Sequence, residues 1–427
     1  MKFGGAALAD GPAVERVCGI VRDLGGERPI VVVSAHQGVT NLLDSVARAA
    51  AAGAVDGDRV RLRHKGLLRQ LGLDAELLNR FFAELASLLE GIRVRGRLLA
   101  GERDLVLSYG ERMSARIVAQ ALKRTGLRAT PVDAFDLGLT TDSNHGAARP
   151  LPESGAAVRE ALRGIPGIPV VTGFLAQDRL GNLTTLGRNG SDLTASLVAE
   201  AAGVAELELW KTVGGMMTAD PALAPEARLI ERLSFEDAGE LAAHGADVLH
   251  PEALHPARRA GLSVRILDVA RTDAPGTRLV PDREDAGPIG IAARRRCLRI
   301  TLPRDDSAAL AGRLSALLAR HAVEPAAFSA SGASLELLLV PGPATDAVLS
   351  DIGRSAVVER DLAQVAVVGR PATGAFEALA GLGVPVLEAR FGSDRPSQVF
   401  LVPTDDLERA VRGLHAALLA PRVGAAP

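Results

Sequence analysis

Through the first two-thirds of the chain, short apolar runs bounded by Gly and Pro alternate with stretches whose apolar positions recur at helical spacing. Residues 30–35, 170–174, 206–210 and 264–267 read as strands, and residues 110–125, 191–203 and 235–244 as helices. This alternation predicts an α/β domain, a mostly parallel sheet covered by helices, whose ligands collect at the carboxyl ends of the strands. Ser191 or Asp192 stands where the second helix needs a cap.

Between residues 273 and 290 the periodicity stops and Pro, Gly and charge take over, which places a domain edge near residue 283. Beyond it the pattern predicts strands at 298–302, 334–340, 364–368, 384–390 and 398–402, and helices at 308–321, 373–382 and 405–419. The expected organisation is therefore one domain over 1–283 and two small α+β modules over 284–358 and 359–427.

Composition narrows the classes. A chain of 427 residues with 47% hydrophobic content can bury more than one core. The formal charge of −2 and 3% aromatic residues provide neither a phosphate-tracking surface nor a base-stacking platform, so nucleic acid is not an expected partner. The chain has no apolar run of about 18 residues and no signal-peptide order at its start, so no membrane partner is expected and the cytoplasm is the expected location. Cys18 and Cys297 stand far apart without metal-ligand spacing and read as buried thiols; no metal site is predicted. His36, His244, His250 and His255 are irregularly spaced and read as surface or packing residues. The basic residues are 45 arginines against four lysines, Lys2, Lys65, Lys123 and Lys211, so each surviving lysine is a candidate for a role that needs a compact ammonium.

Four segments carry candidate chemistry. Lys2–Gly5 is a strand end running into a glycine pair, where backbone amides can approach an anion. Residues 34–41, Ser-Ala-His-Gln-Gly-Val-Thr-Asn, put hydroxyls and amides after a buried strand, although a plain βα turn explains them equally well. Residues 108–114 place Glu111 at the expected start of a helix, where the dipole favours a carboxylate and capping alone accounts for it. Residues 184–195, with Gly187, Arg188, Gly190, Ser191 and Asp192, form a glycine-rich loop opening a helix, and folding needs alone do not account for that combination.

In order and spacing these segments, with 171–174, Trp210, 218–221, 240–242 and 245–251, resemble the aspartate kinases of the amino acid kinase superfamily over residues 2 to about 280. The carboxyl-terminal region resembles, more loosely, the paired ACT modules of that family. The resemblance implies an amino acid kinase fold and transfer of the γ-phosphoryl group of ATP to the side-chain carboxylate of L-aspartate, the entry to lysine, threonine and methionine synthesis. By the same resemblance Lys2 and Asp192 are catalytic, and Ser34, Thr40, Glu111, Phe174, Arg188 and Ser191 surround aspartate. Gly4, Gly5, Lys211, Thr212, Met217 and Asp220 fall to the nucleotide, with Mg2+ held mainly through the phosphates. An end-product amino acid is the implied effector of the ACT-like modules, and a homodimer or higher homo-oligomer through them is expected.

Several positions depart from the family. Ala6 and Ala7 replace two hydroxyl residues, Thr212 and Gly214 replace acidic or proline positions, and Ala222 replaces an arginine. Asp247 stands where the family has lysine; a unit charge about 6 Å from a phosphate at an effective dielectric of 20 is worth roughly 3 kcal/mol. The glycine turns of both ACT-like modules are replaced by residues 305–308 and 370–373. Two other readings therefore stand beside the aspartate kinase: a kinase for another amino-acid carboxylate or with another phosphoryl donor, and an amino-acid-binding or regulatory paralogue without catalysis.

Overall fold

The structure is a computed structural model that describes residues 1–419 except 27, 247, 282–286, 304–307, 322, 331–333, 353–355, 370–373 and 392–396. Asp247 and the turns at 305–307 and 370–373 thus lie outside the described residues. The chain divides into two compact units, Met1–Gly215 with His250–Pro281, and Met216–Leu249 with Asp282–Pro427. Residues 216–249, assigned from sequence to the first domain, group with the second unit because Ala219, Leu223 and Ala224 share a core with Val365, Phe400 and Val411.

In the first unit the main sheet runs Ala129–Val132, Ile168–Thr172, Val31–Val33, Lys2–Phe3, Glu206–Lys211, Ser263–Asp268 and Thr277–Val280 in spatial order. Neighbours are parallel throughout, except the antiparallel last pair. From Lys2–Phe3 the chain proceeds to Val31–Val33 on one side and later to Glu206–Lys211 on the other, so that two-residue strand marks a reversal of strand order, where open α/β sheets form their ligand crevice. It is fixed by its hydrogen-bonded neighbours, Lys2 standing opposite both Val32 and Leu209, and by Phe3, fully buried and stacked on Trp210 at 6.1 Å between ring centres.

The helix expected over 110–125 begins a full ten residues earlier, spanning Ala100–Arg124, with Glu102 reaching back to the Leu99 amide at 3.1 Å. Glu111 therefore sits in mid-helix, and the helix dipole does not account for it. A second small sheet, Thr140–Thr141, Leu175–Asp178 and Leu183–Thr185, feeds the loop before the helix Gly190–Ala202. That helix is capped neither by Ser191 nor by Asp192: Asn189, in the left-handed conformation, holds the cap position and its carbonyl accepts the first amides.

The second unit contains a six-stranded sheet in the order Ala327–Ala330, Ser334–Leu339, Pro288–Pro303, Val357–Gly369, Ser397–Pro403, Glu388–Phe391. Its two central strands are far longer than the sequence pattern suggests: charged residues at 294–296 and 359–361 interrupt the apolar alternation, and the strands continue past them through register shifts between Arg294 and Arg299. Two cores form on it. One packs the helices Ala375–Gly381 and Leu407–Leu418 on Val365 and Phe400; the other packs Leu314, Leu318 and Val348 on Ile300 and Leu337. The fold is α/β, a mostly parallel sheet covered by helices in the first unit and two α+β cores on one sheet in the second.

Candidate active site

The carboxyl ends of three parallel strands open into a cleft of about 400 Å³ lined by Lys2, Gly5, Ser34, His36, Thr40, Glu111, Phe174, Ser191 and Asp192, among others. Close approach shapes its floor. A Cβ on Gly5 would sit 2.8 Å from the Ala35 carbonyl, so the turn after the first strand can press against residues 34–37 only as glycine. Ala7, by contrast, is in the core and faces no ligand; of the two alanine departures only Ala6 borders the cleft.

The densest electrostatics lie at Asp192, 3% exposed in the first turn of its helix. Its Oδ1 meets Lys2 Nζ at 2.6 Å, and its Oδ2 accepts a hydrogen bond from Lys211 Nζ at 3.0 Å. Burial would raise this carboxyl, but the two ammonium groups outweigh it and bring it down to about 2. Lys211 is pushed below the usual lysine range, first by burial and further by Lys2, with Asp192 opposing. The cluster thus carries two cations against one anion in a nearly dry setting.

Glu111 is 3% exposed and its Oε2 has no hydrogen-bond partner among the described residues. Burial lifts its carboxyl to about 7, against the opposing backbone amide of Ala35 and the charge of Lys2. A carboxylate kept this way gains strongly from a cation brought by a ligand.

The loops around Phe174 and Asn189 are held in left-handed backbone, with φ of 67° and 55°. Phe174 donates its amide to Thr194 Oγ1 at 2.9 Å and accepts from Leu186 at 2.9 Å, and these bonds hold the strained conformation. Gly173 and Gly190 let the segments touch: a Cβ on either would fall within 2.9 Å of Ser191 or Phe174.

Of the residues singled out from sequence, Lys2, Gly5, Ser34, Thr40, Glu111, Phe174, Ser191 and Asp192 converge on this cleft, and Lys211 reaches it through Asp192. Gly4 adjoins, its Cβ position lying 3.4 Å from Lys2 Nζ. Arg188 is exposed and does not line the cleft, with no ion pair among the described residues. Thr212 is exposed in the bend after its strand. Met217 and Asp220 belong to the second unit; Met217 pairs in a single bridge with Leu229, and Asp220 caps Ala222 and faces Arg295 at 3.5 Å. His36, read from sequence as a surface or packing residue, is buried against the Leu8 carbonyl at 2.7 Å and also borders the cleft.

A family model described as the amino acid kinase family matches residues 1–268. Lysine-sensitive aspartokinase 3 of Escherichia coli is 31% identical, with 98% of each chain covered. Aspartokinase 1 of Arabidopsis thaliana, a chloroplastic protein, is 29% identical over 99% of this chain and 82% of its own. The crystal structure of E. coli aspartokinase III with lysine and aspartate superposes at a TM-score of 0.83 and 29% identity, covering 98% of both chains; the same enzyme with aspartate and ADP superposes at 0.79. This chain belongs to the amino acid kinase family. Within that family of phosphotransferases its likeness is to the aspartokinases, along its whole length.

Proposed function

We propose that the chain is an aspartate kinase, moving the γ-phosphoryl group of ATP onto the side-chain carboxylate of L-aspartate. One observation carries the reading: the buried cluster of Lys2, Asp192 and Lys211 borders the same cleft as Glu111. The full-length likeness to aspartokinases, one of them solved with aspartate and ADP, supports it.

The chemistry follows from charge. An acceptor carboxylate with an ordinary pKa near 4 is ionised at neutral pH and needs no general base, but it must approach a polyanion. Lys2 and Lys211 offset that repulsion, while Asp192 fixes both ammonium groups in place. Gly4 and Gly5 supply amides to phosphate oxygens, with Thr212 on the nucleotide side of the reading; Met217 and Asp220, which the resemblance also assigns to the nucleotide, belong to the second unit. Glu111 receives the substrate ammonium, Arg188 folds onto its α-carboxylate bidentately, and Ser34, Thr40, Phe174 and Ser191 frame the rest.

Mg2+ accompanies ATP in this reading, through phosphate oxygens. Among the described residues no group of three or more His, Cys, Asp or Glu side chains suited to a metal occurs, and Asp192 is held by two ammoniums.

An end-product amino acid is the proposed effector of the ACT-like modules, in line with the lysine-sensitive E. coli relative. A homodimer through their outer strands accompanies it; Phe328 and Phe391 on those strands are 47% and 61% exposed. No helix among the described residues is long and apolar enough to cross a membrane, and a cytoplasmic location fits the reading.

The test is ADP release, followed with linked enzymes, at millimolar ATP and L-aspartate and with other amino-acid carboxylates and phosphoryl donors in parallel. Aspartate-dependent ADP supports the proposal; ADP with another acceptor alone redirects it. The second reading, a regulatory paralogue, draws on Thr212, Ala222 and Asp247. Calorimetry showing aspartate binding without ATP binding would establish it instead.

A further inference from the structure

Asp104 is a buried carboxylate that the proposed chemistry leaves without a task. It is 1% exposed, and four donors saturate it. Oδ1 accepts from the Thr185 hydroxyl at 2.7 Å. Oδ2 accepts from the backbone amides of Thr185 at 3.1 Å and Gly146 at 3.0 Å, and from His145 Nδ1 at 2.9 Å. Thr185 is at the base of the loop that carries Arg188, and His145 and Gly146 belong to the segment packed against that loop. Thr185 ends the strand Leu183–Thr185, and its carbonyl accepts from Ala148 at 2.9 Å. Gly187 then packs so closely on residues 146–147 that a Cβ would meet the Gly146 carbonyl at 3.1 Å.

The other side of the argument is the helix. Asp104 and Glu111 share Ala100–Arg124, about two turns apart and so on the same face. One rigid element therefore holds the carboxylate that faces the cleft and, through Asp104, the loop bearing Arg188. In the proposed reading these two groups hold the two charged substituents of the substrate's Cα, its ammonium at Glu111 and its α-carboxylate at Arg188.

We propose that Asp104 is a positioning residue that sets the Arg188 loop against Glu111, and so fixes where the substrate's Cα is anchored and how long a side chain can extend from it toward the phosphoryl donor. The inference rests on the aspartate kinase reading for its substrate. Without Asp104 the loop base loses two hydrogen bonds and the segment packed against it two more, the anchor of Cα between Arg188 and Glu111 loosens, and a side chain one methylene longer is no longer excluded.

The experiment compares Asp104→Ala, Asp104→Asn and Thr185→Val with the full-length wild type, measuring kcat and KM for L-aspartate, L-glutamate and ATP, with melting temperatures. Asp104→Ala should raise the aspartate KM at least tenfold, hold the ATP KM within twofold and cut the aspartate-over-glutamate preference at least fivefold. Asp104→Asn keeps an oxygen for the three donors on Oδ2 and should stay closer to wild type. Asp178→Ala is the control: that carboxylate accepts from Leu180 and Asn182 at the far turn of the same hairpin and from Ser143, and its loss should lower the melting temperature with substrate KM unchanged. Equal KM changes for ATP and aspartate, or a preference unaltered in Asp104→Ala, would overturn the inference. Should Asp104→Ala not fold, Thr185→Val decides, an unchanged aspartate KM counting against. If the wild type turns over no aspartate, the functional reading fails, and calorimetric aspartate and glutamate affinities of the same variants test Asp104 separately, an unaltered preference there overturning its role.

Discussion

Asp192→Asn is the most informative substitution, because it removes one charge and leaves the shape. The Asp192 carboxyl lies at about 2 instead of 3.8, which corresponds to roughly 2 kcal/mol of net favourable interaction at 1.4 kcal/mol per pKa unit. Its folded value is depressed, so this stabilisation is fully present above pH 4 and is lost as pH falls toward 2. At pH 7 the variant should therefore be less stable by about 2 kcal/mol, and the difference should shrink in acid. Lys211, already lowered by burial, loses the partner that raises it and should deprotonate at still lower pH. Function should divide: two uncompensated ammoniums attract phosphates at least as well as before, so ATP affinity holds or improves, while kcat falls a hundredfold or more because neither ammonium stays aimed. Denaturation at several pH values, calorimetry with ATP and steady-state kinetics give the three readouts. A tenfold loss of ATP affinity with kcat preserved would refute the reasoning.

Other expectations follow from the structure and, for Asp247, from the sequence resemblance alone. Glu111 titrates near 7, so the aspartate KM should fall as pH rises from 6 to 8 and the carboxylate ionises; Glu111→Gln should raise KM and flatten that dependence, as pH-resolved kinetics would show. Phe3→Ala removes the fully buried ring stacked on the single tryptophan and should cost about 3–4 kcal/mol, with a red shift of Trp210 emission in the folded state. Asp247→Lys restores the family's charge and should tighten ATP binding by two orders of magnitude in calorimetry.

Much of the site is written locally and so could be read from the chain. Strand-end positions such as Ser34 and Phe174 follow from apolar runs broken by small residues, and the glycines at 5 and 190 mark close approaches that the backbone confirms. Glu111 was legible as a residue but not in its setting, since the charged stretch before it conceals the first ten residues of its helix. Asp104 gave no signal at all: its partners lie about 40 and 80 residues away, and only the fold brings them together. The grouping of 216–249 with the second unit was equally hidden, because Ala219, Leu223 and Ala224 look like any short apolar pattern until their neighbours at 363–411 are known.

The chain contains only four lysines, which makes the electrostatic core of the account directly observable. With lysine Cε carbons isotopically labelled, the protein yields four signals, and a non-hydrolysable ATP analogue should move those of Lys2 and Lys211 while Lys65 and Lys123 stay in place. Movement of Lys65 or Lys123 alone, or of no lysine at saturating analogue, would contradict the claim that the ammonium pair around Asp192 receives the phosphoryl donor.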